Sequence, residues 1–218
     1  MTSDPGIEIE GLKLTLLRQK VAFLAHEQVL LIADMHLGKV NYFRRAGIPV
    51  PPPALRENFE RLIDVINQTS ARRVIFLGDL FHSHYNEEWE MLGQVKRHFG
   101  ACRFDLVRGN HDIMSNLQYE RHHIGVYEQL KLGPLLLTHE PLENGSHPLY
   151  NLAGHLHPGV KLVGKGRQSL TLPCFYFGLH YGLLPAFGNF TGMAGLEVKK
   201  GDRVFVVMKE KVMELEHG

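Results

Sequence analysis

Short apolar runs alternate with segments of helical period through the first half of the chain, and strand-like runs dominate the second half. Leu12–Leu17 and Val21–Leu24 predict a hairpin, and the continuous apolar run 29–33 predicts a buried strand that stops at Asp34. Pro49-Val50-Pro51-Pro52-Pro53 interrupts regular structure. After it, Leu55, Phe59, Leu62, Ile63 and Ile66 recur with the period of an amphipathic helix. The run 74–77 then predicts a strand ending at Gly78-Asp79, so strand, helix and strand form a βαβ unit with a parallel pair.

A second unit follows. Asn86 reads as an N-cap, Glu87 and Glu88 lie in the first turn, and Trp89, Leu92, Val95 and Phe99 face inward. Lys96 and Arg97 occupy the last turn, Gly100 stops the helix, and the run 104–107 supplies the next strand. Thereafter 126–132, Gly133-Pro134 and Leu135–Leu137 read as one hairpin leading to His139, and 170–177, 203–208 and 212–216 as further strands. Neither an internal repeat nor a low-complexity linker divides the 218 residues, and residues 1–218 are expected to form a single α/β domain.

Composition changes this picture only by exclusion. Hydrophobic content of 44% is ordinary for a globular protein, and no stretch approaches the ~20 apolar residues of a membrane span. Residues 1–20 lack the basic start and apolar centre of a secretory signal, so the expectation is a cytoplasmic protein without a membrane anchor. Cys102 and Cys174 read as buried free thiols in preference to a disulfide or redox pair.

The net charge of +1 conceals an uneven distribution. No carboxylate lies between Asp34 and Glu57, where Lys39, Arg44, Arg45 and Arg56 occur, nor between Glu143 and Glu197, where Lys161, Lys165 and Arg167 occur. Acidic residues gather instead at Glu87, Glu88 and Glu90 and at Glu210, Glu214 and Glu216. Both acid-free stretches contain or adjoin the polar clusters below, so positive potential is expected at that place, as a phosphate-bearing substrate requires.

Five polar clusters each follow an apolar run: Asp34-Met35-His36, Gly78-Asp79-Leu80-Phe81-His82, Gly109-Asn110-His111-Asp112, Thr138-His139 and Gly154-His155-Leu156-His157. A pair of hard divalent cations needs a carboxylate between them, with imidazole, carboxylate and amide groups closing each side. These clusters contain that inventory. One Asp-x-His alone is weak, because an isolated histidine is more often a satisfied polar residue than a ligand. Five clusters in order, each at the end of a strand where open α/β sheets bind ligands, form a specific signal.

In that order the clusters resemble the ligand set of the calcineurin-like metallophosphoesterases. The resemblance implies a four-layer αββα sandwich of two mixed sheets flanked by helices. It places Asp34, His36, Asp79 and His157 on one cation and Asp79, Asn110, His139 and His155 on the other, with Asp79 as the bridge. It implies two divalent ions, manganese first, with iron, zinc and nickel as alternatives, and a bridging hydroxide that attacks phosphorus in line. Asn110 being assigned to metal, His111 is left as the proton donor to the leaving oxygen, with Asp112 to orient it; phosphate binding alone is the other reading of His111.

Gly78-Asp79-Leu80-Phe81-His82 is similar to the form of this motif in double-strand-break-repair nucleases, where the histidine contacts substrate. A plain loop histidine is the other reading of His82. The segments from Phe43 to Pro51 and from Leu184 to Gly192 resemble the bacterial metallophosphoesterases associated with DNA ligase, regarded as DNA-damage-response endonucleases. That resemblance spans nearly the whole chain. It implies a nuclease acting on DNA or RNA, a DNA ligase or repair helicase as protein partner, and a homodimer as one arrangement.

Lys39, Arg44 and Arg45 are the expected substrate-binding cations. Tyr42 and Phe43 beside the arginine pair fit a phosphate contact with a stacked base, and equally a solvated turn. No sequence-reading module is present. A phosphodiesterase of cyclic nucleotides or other small phosphoesters stands as the alternative, and a non-catalytic scaffold of the same fold as a third reading. One departure is that His139 is followed by Glu140-Pro141, where many relatives carry a second histidine.

Overall fold

The structure, a computed structural model, describes residues 4–39, 54–82, 85, 87–142, 147–164, 168–189 and 191–215. Two sheets pack face to face. The first contains seven strands in the order β1 (Gly6–Ile9), β2 (Leu12–Leu17), β3 (Val21–Leu24), β4 (Val29–Ile32), β5 (Arg73–Leu77), β6 (Arg103–Val107) and β7 (Ile124–Tyr127). Strands β1 to β4 meander antiparallel, whereas β4 to β7 run parallel.

Helix α1 (Ala54–Thr69) makes the β4–β5 crossover and α2 (Glu87–His98) the β5–β6 crossover, as the helical period predicts. A short α3 (Asn116–Arg121) precedes β7. The expected cap at Asn86 lies outside the described residues.

The second sheet is built from β8 (Leu130–Leu132), β9 (Leu135–Leu137), β10 (Tyr150–Ala153), β11 (Pro158–Val163), β12 (Ser169–Phe177), β13 (Tyr181–Leu183), β14 (Ala194–Gly195), β15 (Arg203–Val207) and β16 (Val212–Glu214). Here β9, β10 and β13 run parallel, with β10 in the middle.

The expected single strand over 126–132 is in fact two. Its first part completes β7 in the first sheet, and residues 128–129 cross to the second sheet, where β8 pairs antiparallel with β9. Both halves are apolar because each sheet buries its own half, so hydrophobicity alone could not mark the crossing.

Side-chain alternation sorts the core into layers. Leu30, Ile32, Val74, Phe76, Phe104 and Leu106 face the helices, packing with Phe59, Leu62, Trp89 and Tyr119. Leu31, Ile75, Leu77 and Val107 face the second sheet, against Leu135, Leu137, Leu152, Phe175 and Phe205. A third cluster, with Cys174, Tyr176, Val204 and Val206, lies on the far side of the second sheet and is covered by Leu196, Val198 and Leu215. The two-sheet sandwich thus matches expectation, and among the described residues its three helices all belong to the first sheet.

Trp89 fixes the position of one functional loop. Fully buried, it packs edge-on to Phe81 and Tyr119 with ring centroids 5.4 Å and 5.2 Å away, so α2 pins the loop that carries His82. Cys102 and Cys174 are free and buried, and burial pushes their thiols up to about 11 and about 12. No helix among the described residues is long and apolar enough to cross a membrane.

Candidate metal centre

Six parallel strands of the two sheets end at one crevice. From the first sheet, β4 leads to Asp34 and His36, β5 to Asp79 and His82, and β6 to Asn110 and His111. From the second, β9 leads to His139, β10 to His155 and His157, and β13 to the loop around Gly188.

Main-chain hydrogen bonds extend the pairing past the strand ends. The amides of His36 and Leu37 donate to the carbonyls of Asp79 and Leu80 at 2.8 and 3.0 Å, and His82 donates back to Leu37 at 2.7 Å. Phe187 and Gly188 donate to Ala33 and Asp34 at 2.8 and 3.0 Å, lacing the second sheet to the first. Glu88, buried in the first turn of α2, accepts from the Gly38 amide at 2.8 Å and closes the Asp34-Met35-His36 loop.

Five of the seven candidate ligands adopt left-handed backbone: Asp34, His36, Asp79, His155 and His157, with φ between +46° and +65°. Non-glycine residues take this conformation at a cost of order 1 kcal/mol or more each, and it concentrates where a side chain must be aimed. At each strand end it turns the side chain back into the crevice.

Space beside the ligands is cleared by glycines, Gly78, Gly109 and Gly154 among them. A Cβ on Gly78, itself at φ +77°, would lie 2.0 Å from His139 Nδ1, and one on Gly154 would lie 2.5 Å from Asp34 Oδ2.

The ligand atoms converge as two groups. Asp34, His36 and His157 form one; Asp34, Asp79 and His139 form the other, all atoms of each lying within 4.8 Å of one another. Asp79 turns its two oxygens apart, Oδ2 toward His36 Nε2 at 3.7 Å and Oδ1 toward His139 Nε2 at 3.4 Å. Asn110 Oδ1 and His155 Nδ1 each approach His139 Nε2 at 3.0 Å. All seven expected ligands therefore meet, and Asp34 sits closer to the His139 group than the expected division implies, 3.9 Å from its Nδ1.

The donor set fits cations rather than a hydrogen-bonded network. His36 Nε2 faces His157 Nε2 at 3.3 Å, and Asp34 Oδ1 is buried without a hydrogen bond. Opposed imidazole nitrogens and an orphaned carboxylate oxygen are costly unless a positive charge lies between them. Burial, helped by Lys39, His157, His82 and His111, pushes His36 down to about 2, so its imidazole is neutral and its lone pair available.

Outer contacts aim the rings. His157 Nδ1 lies 3.1 Å from the Gly192 carbonyl and His139 Nδ1 3.1 Å from that of Leu77, which leaves each Nε2 free to bind.

His82 and His111 sit together beside this cluster, ring centroids 4.1 Å apart, and His111 Nε2 is 4.0 Å from Asp79 Oδ2. The His111 side chain is 43% exposed, so it faces both the ligands and the open mouth of the crevice. Burial and then His111 hold His82 below its usual value.

The expected role of Asp112 is corrected. Its carboxylate accepts the amides of Gly109 at 2.9 Å and Phe81 at 3.1 Å, and among the described residues it makes no bond to the His111 ring. Asp112 ties the Asn110 turn to the Phe81 loop. It positions two motifs instead of orienting one imidazole, and burial raises it to about 6.

Lys39 is partly buried at the edge of the cluster, its pKa lowered by burial against the pull of Asp79 and Asp34. Arg44 and Arg45 lie outside the described residues. His122 packs against Trp89 as a buried structural residue, and His123 and His180 are exposed. Lys20 and Arg61, partly buried near the Gly188 loop, were silent in the sequence; the loop signalled a feature there but not its cationic partners.

Comparison with known proteins agrees with this geometry. The nuclease MPE of Pseudomonas putida superposes with a TM-score of 0.80 and 28% identity, covering 97% of this chain and 99% of that one. AQ665 of Aquifex aeolicus, a protein of unknown function, matches with 18% identity over 59% of this chain and 78% of its own, at a TM-score of 0.42. No curated protein sequence matches. The family model for calcineurin-like phosphoesterase matches residues 28–187, from β4 through the last strand that feeds the crevice. A fold, a convergent ligand cluster and a family match thus coincide, and the chain belongs to the calcineurin-like phosphoesterases, enzymes that hydrolyse phosphoesters with divalent metal.

Proposed function

We propose that this enzyme is a phosphodiesterase acting on nucleic acid, with Asp34, His36, Asp79 and His157 holding one cation and Asp79, Asn110, His139 and His155 the other. The observation that carries the reading is the His82–His111 pair at the mouth of the ligand cluster, in a chain similar along nearly its whole length to a nuclease.

Two bound divalent cations, manganese first among the candidates, would supply Lewis acidity toward the phosphoryl oxygens and an acidified water. The chain's own residues do the rest. Asp79 presents one oxygen to each side and keeps the two halves of the centre together. Asn110 contributes a neutral oxygen, which moderates the negative charge of the donor set. His111, within reach of the centre yet open to solvent, gives its proton to the departing oxygen and recovers it from water. His82, its basicity lowered by burial and by His111, shares that mouth and contacts the phosphate or sugar beyond the scissile bond.

Lys39 adds positive charge at the rim, and Arg44 and Arg45 are assigned to the strand that extends from it. A repair setting with a ligase or helicase partner, a cytoplasmic location and a homodimer complete the proposal. The test is a metal-supplemented panel of bis-p-nitrophenyl phosphate, p-nitrophenyl phosphate, cyclic nucleotides, and single- and double-stranded DNA and RNA. Cleavage of the polymers and preference for the diester over the monoester are expected. Turnover confined to cyclic nucleotides or to the monoester would overturn the reading.

A further inference from the structure

Behind His157 lies a separate cavity of about 190 Å³, lined by Lys20, His157, Gly188, Asn189, Thr191 and Met193. Lys20 ends the β2–β3 turn in left-handed backbone at φ +66°, and its side chain runs along the protein instead of out to water. Its Nζ donates to the Ala186 carbonyl at 3.1 Å. An ammonium has three donors, and among the described residues no carboxylate lies within ion-pair distance of this one.

Arg61 lies beside it. Its guanidinium donates to Asn58 Oδ1 at 2.9 Å, to Asn189 Oδ1 at 3.5 Å and to the Phe187 carbonyl, and stacks on the Phe187 ring at 4.2 Å. Its Nε is buried with no partner. Glu57 partly offsets its charge, and the Glu57 carboxylate accepts from Asn189 Nδ2 at 2.6 Å.

Two adjacent, partly buried cations repel one another and each loses hydration. Burial and then Arg61 lower Lys20 to about 8. Glu57, Glu60 and Asp64 line a second groove shared by Lys20 and Arg61, whereas among the described residues no carboxylate lines this cavity, so it is here that the Lys20 ammonium favours an anion. The cavity shares the His157 wall with the candidate metal cluster.

We propose that this cavity is a subsite for a second phosphate of the substrate, bound by Lys20, with Arg61 behind it as fixed positive charge and Asn189 and Thr191 at the rim. The proposal rests on phosphodiester hydrolysis at the adjoining centre, but not on the substrate being a polymer.

Isothermal titration of metal-loaded protein with thymidine 3′,5′-bisphosphate and with the 3′- and 5′-monophosphates tests it, with bis-p-nitrophenyl phosphate turnover measured alongside. A charge-assisted contact implies that the bisphosphate binds about tenfold or more tightly than either monophosphate. Lys20→Met should erase that advantage, Lys20→Arg should keep part of it, and monophosphate affinity should not change. Thr191→Glu, which leaves both cations in place, should also erase it.

Equal affinity for bisphosphate and monophosphates in the wild type, or an equal loss for all three in Lys20→Met, would overturn the subsite. Absence of bis-p-nitrophenyl phosphate turnover with the bisphosphate preference intact would count against the phosphodiesterase reading and leave the subsite standing.

Discussion

The His155 amide donates to Asp34 Oδ2 at 2.9 Å, joining the end of β10 in one sheet to the end of β4 in the other. Asp34 thereby uses one oxygen to hold the sheets in register and leaves Oδ1 buried without a hydrogen bond among the ligand nitrogens. The His111 amide fixes Asp79 within the first sheet, donating to its Oδ1 at 3.0 Å. Both carboxylates are fixed by main-chain donors before any cation arrives, so the centre is built by folding, and binding need not assemble it.

His111→Asn should slow esters with poor leaving groups more than those with good ones, because p-nitrophenolate departs without a proton. A loss of about 10²–10⁴-fold in kcat is expected on an alkyl diester, with a small loss on the nitrophenyl diester. Equal losses on both would assign the residue to phosphate binding alone.

Gly78→Ala should be more damaging than a methyl group suggests. The new Cβ would meet the His139 ring at a left-handed backbone position, so the ring must move. Turnover should fall about a hundredfold, as a ligand displaced by ~1 Å implies, and metal-free stability by about 1–3 kcal/mol. Wild-type kinetics and an unchanged urea midpoint would contradict this packing.

Lys20 gives stability a distinct pH dependence. Its pKa falls from 10.5 to about 8 on folding, so between those values the unfolded chain holds more protons and stability rises with pH. Below about 8 the full penalty of the desolvated ammonium applies. Melting temperatures of wild type and Lys20→Met should therefore converge as pH increases from 8 toward 10, the variant being the more stable at pH 7. Parallel profiles would show that the ammonium is hydrated in the folded state.

Arg44→Ala with Arg45→Ala should weaken binding of single-stranded nucleic acid and flatten its salt dependence, while nitrophenyl diester turnover stays near wild type. Removing one cation from a backbone phosphate reduces the slope of log affinity against log salt by about 0.7 on single strands. An unchanged slope would make the pair a solvated turn.

What the sequence made legible follows from which signals are local. The strand ends carrying Asp34, Asp79 and His139 could be read directly because an apolar run stopped at each polar cluster. Both crossover helices announced themselves by period. The split of 126–132 between two sheets was hidden, since the residues on both sides of the crossing are buried for different reasons. Asp112 misled through adjacency: next to His111 in sequence, its side chain points to backbone amides on the other side. Lys20 lies 166 residues from the carbonyl it contacts, and nothing in its surroundings along the chain marks it as turned inward.

Metal content is the most direct check of the binuclear centre. Wild-type protein, dialysed after manganese loading and measured by inductively coupled plasma mass spectrometry, should hold two equivalents per chain. Asp79→Ala, which removes the carboxylate facing both ligand groups, should lose at least one of them together with diester turnover. Two full equivalents in an active Asp79→Ala protein would contradict the account.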